Sequence, residues 1–161
     1  MLYFGGGYPE NYAVELENNI SMINSIRDFY NKNGVIYGEC GGFIYLSKKL
    51  ITLDGREYNF VNLTENIIEM KNRLDIGRFG YINIKYRENF CGKGHEFHYS
   101  KIKEEGKEKK EFKIEKPNGR KWECGYSLKN LLCGYPHIHF FKSSDIIFDL
   151  LNRAEKNKEQ K

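Results

Sequence analysis

The chain opens on a short apolar run, Leu2-Tyr3-Phe4, that stops at Gly5-Gly6-Gly7. That pattern predicts a strand running into a loop whose backbone turns sharply or lies close to something else. Pro9 suits the first turn of a helix, with Glu10 near the positive end of its dipole. Tyr12, Leu16, Ile20, Ile23 and Ile26 recur at helical spacing and predict a helix from about Asn11 to Tyr30, closed by Asn33-Gly34. Val35-Ile36-Tyr37 is short and mostly β-branched, as a buried strand would be. Phe43 to Leu50 has helical character, and Asp54-Gly55 is a turn. Strand, helix, strand, helix in that order predicts a parallel βαβ arrangement with a right-handed crossover. Further on, Tyr81 to Tyr86 alternates apolar and polar positions and predicts a half-buried strand. Phe97–Ser100, Phe112–Ile114 and His137–Phe141 are weaker strand candidates. Asp145–Ala154 reads as a closing amphipathic helix, with a frayed charged tail over 155–161. No internal repeat is visible, so 1–154 is expected to be one domain.

Composition narrows this picture. At 161 residues, with 40% hydrophobic side chains, the chain can bury one core. The formal charge of +4 is modest, and Lys alternates with Glu in Lys101–Lys121 and Arg153–Lys161. Such a mixture reads as solvated surface and argues against a nucleic-acid partner. No apolar run approaches the roughly 20 residues that span a bilayer, and no export signal follows Met1. Cys40, Cys91, Cys124 and Cys133 are widely spaced and form no CxxC. Free thiols in a reducing cytoplasm are the expectation.

The candidate chemistry centres on Val35-Ile36-Tyr37-Gly38-Glu39-Cys40-Gly41-Gly42-Phe43. A buried strand runs into G-x-C-G-G and a helix begins directly afterwards, the logic of G-x-S-x-G with sulfur in place of oxygen. Glycine neighbours let strand and helix crowd together around a strained nucleophile. At a helix N-terminus the thiolate is expected to be favoured, with the amide of Gly41 pointing where an oxyanion would form. The competing reading is a buried structural cysteine in a glycine-rich turn.

All four histidines lie in Gly94-His95-Glu96-Phe97-His98-Tyr99-Ser100 and Tyr135-Pro136-His137-Ile138-His139-Phe140. A thiol needs a base, and His is the usual one. On a strand the rings of His137 and His139 would share a face. Two other readings stay open. The pairs, with Glu96, could ligate zinc, although His-x-x-His on an extended segment is poorly spaced for one metal; or both pairs could be structural.

Taken in order, Gly5-Gly6-Gly7-Tyr8-Pro9-Glu10, Glu39-Cys40-Gly41-Gly42-Phe43-Ile44-Tyr45-Leu46, Gly94–Ser100 and His137-Ile138-His139-Phe140 resemble the glutamine amidotransferase domain of the cobyrinate a,c-diamide synthase family. That family includes the hydrogenobyrinate and nickel-sirohydrochlorin a,c-diamide synthases. The resemblance runs from Tyr3 to about Phe141. It implies an α/β fold of the class I amidotransferase kind, an open, mostly parallel sheet with flanking helices. It also implies a glutaminase in which Cys40 forms a γ-glutamyl thioester and His137 raises its nucleophilicity. His139 stands where many class I enzymes carry a triad glutamate, so an orienting or structural role is implied for it. Gly6, Gly7 and Gly41 would supply the oxyanion hole, and His95, His98 and Ser100 would line the glutamine pocket. No metal is implied for this site.

The resemblance further implies a partner, an ATP-binding synthetase domain or subunit that uses Mg2+ and holds the tetrapyrrole acceptor. This sequence contains no G-x-x-x-x-G-K-[ST], so no cofactor is expected in the chain itself. It starts at the strand before the oxyanion loop, which reads as an N-terminally truncated domain with weak activity on its own. A non-catalytic remnant or scaffold, a small Cys hydrolase acting on another amide, and a zinc protein are the alternative functions.

Overall fold

The computed structural model describes residues 1–87 and 90–159 of the chain. In order, the chain forms β1 (Leu2–Phe4), a 3-10 turn (Pro9–Tyr12), α1 (Ala13–Asn18), α2 (Ile20–Asn31), β2 (Ile36–Glu39) and α3 (Gly41–Leu46). Then follow β3 (Lys49–Ile51), β4 (Glu57–Asn59), β5 (Ile67–Met70), β6 (Gly80–Tyr86), β7 (Phe90–Glu96) and β8 (Ser100–Glu104). The last elements are β9 (Lys109–Glu115), β10 (Lys121–Leu128), β11 (Leu131–Gly134), β12 (His137–Ile138), a second 3-10 turn (Phe140–Lys142) and α4 (Ser144–Glu159).

Eight strands form one sheet in the order β1-β2-β11-β10-β9-β6-β7-β12, and four form a second, β4-β3-β5-β8. The expected α/β fold with an open sheet and flanking helices is present, but the sheet is mixed rather than mostly parallel. In the large sheet only β1–β2 and β2–β11 pair in parallel, and the remaining pairs are antiparallel. The reason is in the connections: β9 to β10 and β10 to β11 follow one another through short turns, which only antiparallel neighbours permit.

The large sheet curls. Strand β12 hydrogen-bonds to β7 at the far edge, yet it follows β11, the third strand, after only Tyr135 and Pro136. The chain can satisfy both conditions only if the far edge returns beside β11. This return delivers His137 to the end of β2, where Cys40 lies.

Three predicted elements are re-bounded. The helix expected over 11–30 breaks at Asn19, whose side chain accepts the amide of Met22 and so caps α2. The helix expected over 43–50 ends at Leu46. There Ser47 turns extended, its hydroxyl donates to the Phe43 carbonyl, and Leu50 joins β3. Finally, α4 continues through Glu159 instead of fraying at Glu155, and the Asn157 side chain donates to the Asn33 carbonyl. The core gathers around α3, with Phe43 stacked on Tyr126 and edge-on to Tyr135.

Candidate active site

Cys40 sits between β2 and α3 with φ 46° and ψ −103°. A non-glycine residue there is strained, and such strain is held only where the surroundings over-determine it. Three glycines supply the crowding. A Cβ on Gly38 would press on Leu46, one on Gly41 would collide with the backbone of Gly7, and one on Gly42 would collide with the Phe4 carbonyl. The amide of Gly42 donates to the Gly5 carbonyl at 3.0 Å, and that of Cys40 to Gly134 at 2.8 Å. The Gly5–Gly7 loop is thereby laid directly over the elbow, and the amide of Gly41 faces the sulfur of Cys40.

His137 comes from the opposite edge of the curled sheet. Its partner across the β12–β7 pairing is His95, and the two rings stack with centroids 4.7 Å apart and planes 8° apart. Gly6 lies against the edge of the His137 ring, where a Cβ would strike Cε1. Loop, elbow and histidine therefore meet in one place.

The electrostatics differ from the expectation of a favoured thiolate. The Cys40 thiol is pushed up to about 12, first by burial, with the carboxylates of Glu10, Glu96 and Glu39 adding to it and the Gly41 amide opposing it. The six-residue α3 is too short for its dipole to outweigh that burial. His137 is held below its usual value, chiefly by burial; Glu39 opposes this and His95 reinforces it. Burial thus disfavours the charged form of both groups, the thiolate of Cys40 and the imidazolium of His137. The thiol itself points at the Phe97 carbonyl, with S···O 3.7 Å.

Of the residues singled out from the sequence, Gly41 adjoins Cys40, Gly7 lies against Gly41, Gly6 lies against His137, and His95 stacks on His137. His98 and Ser100 lie behind Cys40 in a buried polar chain. His98 Nε2 faces Glu96 at 3.2 Å, its Nδ1 faces the Ser100 carbonyl at 2.8 Å, and its ring stacks on Tyr135 at 3.8 Å. The Ser100 hydroxyl donates to Tyr135 Oη, and Trp122 Nε1 donates to Glu96. These side chains brace the segment that carries the Phe97 carbonyl. His139 lies just past β12, opens the second 3-10 turn and is exposed, whereas His137 is half-buried. Among the described residues, no group of three or more His, Cys, Asp or Glu is placed to hold a metal ion.

One participant carried no assigned role in the sequence. Glu39, 4% exposed, accepts from the hydroxyls of Tyr3 and Tyr37 and from the amide of Ile138, and stands 3.8 Å from His137 Nδ1. A charged residue closing an otherwise apolar strand was the available signal. Tyr37 is two residues away, but Tyr3 and Ile138 are far off in sequence and were not legible.

Comparison with known proteins agrees with this geometry. Residues 1–145 match the CobB/CobQ-like glutamine amidotransferase domain. The chain is 49% identical over 148 residues to the cobyrinate a,c-diamide synthase of Fusobacterium nucleatum, covering 91% of this chain and 33% of that protein. It is 36% identical over 161 residues to the enzyme of that name from Caldanaerobacter subterraneus, covering 95% and 35%. The chain thus spans about a third of the length of these relatives. A crystal structure of a glutamine amidotransferase superposes with TM-score 0.70 at 13% identity, over 96% of this chain and 78% of that one, which speaks for the fold. No described helix is long and apolar enough to cross a membrane. With its strained Cys40 turn, its overlying glycine loop and a family match that covers nearly all of it, the chain belongs to the CobB/CobQ-like glutamine amidotransferase domain family.

Proposed function

We propose that this chain is the glutaminase part of an a,c-diamide synthase, releasing ammonia from glutamine through a Cys40 thioester. The observation that carries the reading is the convergence of the Gly5–Gly7 loop, the strained Cys40 and His137 at one point. The thiol proton passes to His137 as sulfur attacks the side-chain carboxamide carbon of glutamine. The oxyanion so formed is met by the amide of Gly41 and by the Gly6–Gly7 backbone. Collapse breaks the C–N bond, His137 returns its proton to the departing nitrogen, and ammonia leaves. Water, deprotonated by His137, then hydrolyses the γ-glutamyl thioester to glutamate and restores the thiol. His95, stacked on His137, is on the substrate side of this arrangement, whereas His98 and Ser100 support the wall behind it.

Ammonia made here would pass to an ATP- and Mg2+-dependent synthetase domain or subunit, where it displaces phosphate from an activated carboxylate of a cobyrinate-type tetrapyrrole. The relatives' greater length and their names support that assignment. Four free cysteines suit a reducing compartment such as the cytoplasm.

The test is covalent. Incubation with 6-diazo-5-oxo-L-norleucine, followed by peptide mass spectrometry, is expected to modify Cys40, and glutamine is expected to protect it. Modification of the exposed Cys91 with Cys40 untouched would sink the reading.

A further inference from the structure

The carboxylate of Glu39 is arranged as a partner for the catalytic imidazole. It closes β2, one residue before the nucleophile, and is almost wholly buried. Its Oε1 accepts from Tyr37 Oη at 2.9 Å and from the Ile138 amide at 2.8 Å. Its Oε2 accepts from Tyr3 Oη at 2.8 Å and lies 3.8 Å from His137 Nδ1. Three donors converge on two oxygens, the surroundings of a group that accepts and does not donate. Tyr3 and Tyr37 stack on each other, and Phe140 closes over both, so the carboxylate is held by a rigid aromatic wall. Burying a carboxylate carries a desolvation cost and is tolerated where hydrogen bonds and a charge partner offset it.

We infer that Glu39 is the positioning carboxylate of the site, holding His137 through the Ile138 amide and stabilising the imidazolium that forms when Cys40 gives up its proton. This inference rests on the glutaminase reading and assigns to Glu39 the orienting role that family position suggested for His139. The Ile138 bond ties β12 to β2 across 99 residues of sequence and fixes the backbone next to the catalytic ring. His95 covers one face of that ring and Gly6 its edge, while Nδ1 is directed at Glu39. At 3.8 Å there is no hydrogen bond in the resting state. A shift of a few tenths of an ångström makes one, and such contacts tighten as the reaction proceeds.

The other titratable groups around the imidazole act in both directions. His95 and His98 disfavour the charged ring, and Glu96 favours it less strongly than Glu39 does; Cys40, once ionised, would be a further counter-charge. Glu39 is the carboxylate that faces the ring nitrogen directly. Nδ1 thus carries the proton in the neutral ring, and Nε2 is left to take the proton of the thiol.

The experiment is the pH dependence of Cys40 alkylation by iodoacetamide, followed by peptide mass spectrometry. This small reagent needs no glutamine recognition, so the result is independent of whether the chain turns glutamine over. In Glu39→Gln the rate at neutral pH is expected to fall by on the order of tenfold to a hundredfold, and the acid-side inflection to move to lower pH. Glu39→Asp, which keeps the charge, is expected to hold the inflection near its original pH. A Glu39→Gln profile superimposable on the parent, while His137→Ala loses the inflection, overturns the role of Glu39 and leaves the Cys–His pair standing. A His137→Ala profile identical to the parent removes the pair and the inference with it. Should Glu39→Gln fail to fold, 15N spectra of the unaltered chain decide, since the neutral tautomer of His137 is expected to carry its proton on Nδ1. The Nε2-protonated tautomer refutes the inference.

Discussion

Strands β11 and β9 lie two places apart in one sheet and follow opposite rules. Every position of β11, Leu131 to Gly134, is buried, as is every position of β2. Along β9 the polar and apolar positions alternate, and Lys113 and Glu115 face solvent on either side of buried Ile114. Between them, β10 changes rule along its own length. Lys121 and Glu123 are exposed, whereas Cys124, Gly125 and Tyr126 are buried. The cysteines divide in the same way: Cys40, Cys124 and Cys133 are buried and Cys91 on β7 is exposed. The strained Cys40 stands in the block covered on both faces, where neighbours fix each atom. The alternating block, by contrast, carries the curl that brings His95 and His137 back to it.

The strongest way to break this comparison is alkali. Burial pushes the Cys40 and Cys124 thiols up to about 12 and raises that of Cys133, against an ordinary value of 9.0. A raised folded-state value means that the folded chain keeps protons that the unfolded chain releases. The stability so contributed is fully present below about pH 9 and is lost as pH rises toward about pH 12. Buried Tyr37 and Tyr126, also raised by burial, add to the decline. Unfolding free energies from urea titrations are expected to fall steeply above about pH 9, by up to about 1.4 kcal/mol per pH unit for each thiol. Cys124→Ala is expected to flatten that slope, and Cys91→Ala to leave it alone. A level profile up to about pH 12 would show that the block is wetter than the structure has it.

The next test asks the same substitution of both blocks. Gly41→Ala puts a methyl group into the backbone of Gly7, and overpacking of that kind is expected to cost about 3 kcal/mol and to abolish Cys40 labelling by the glutamine analogue. Gly119→Ala, in the β9–β10 turn, meets nothing within 4 Å, and its φ of 82° leaves only left-handed strain. A cost of about 1 kcal/mol is expected there, with labelling intact. Equal losses at both positions in denaturant melts would mean that the elbow is no tighter than a surface turn.

The division between the blocks also explains what could be read from the residues alone. The elbow was legible because its requirements are local: a buried run, a strained residue, and glycines at its flanks. The glycine loop and the histidine motifs added enough to name a family and to place His137. The curl was not legible, since Lys-Glu alternation over Lys109–Glu115 and Lys121–Glu123 looks the same on a solvated helix face as on a sheet. The pairing of His95 with His137 depends on a register set across 42 residues. The helix over 11–30 went wrong at Asn19 for a legible reason, because an Asn within an apolar period can cap a second helix. Glu39 was visible as a residue but not as a role, since its donors Tyr3 and Ile138 lie 36 and 99 positions away.

The smallest effect is expected where the alternating block is most exposed. Lys121 pairs with Glu115 directly across β9 and β10, at 3.5 Å, with side chains 69% and 51% exposed. Water screens such a pair, and ordering two long side chains offsets much of the attraction, so the coupling is expected to be at most about 0.5 kcal/mol. A double-mutant cycle of Lys121→Ala and Glu115→Ala reads it directly, free of the packing changes that each substitution brings. In about 1 M salt, where the screening length drops to roughly 3 Å, the coupling is expected to vanish. Cys40 labelling is expected to be unchanged in all three variants, because this end of the sheet touches neither the elbow nor His137. A salt-resistant coupling above about 1 kcal/mol would mean that the pair is shielded from water, and the contrast between the two blocks would then have to be redrawn at the outer end of β10.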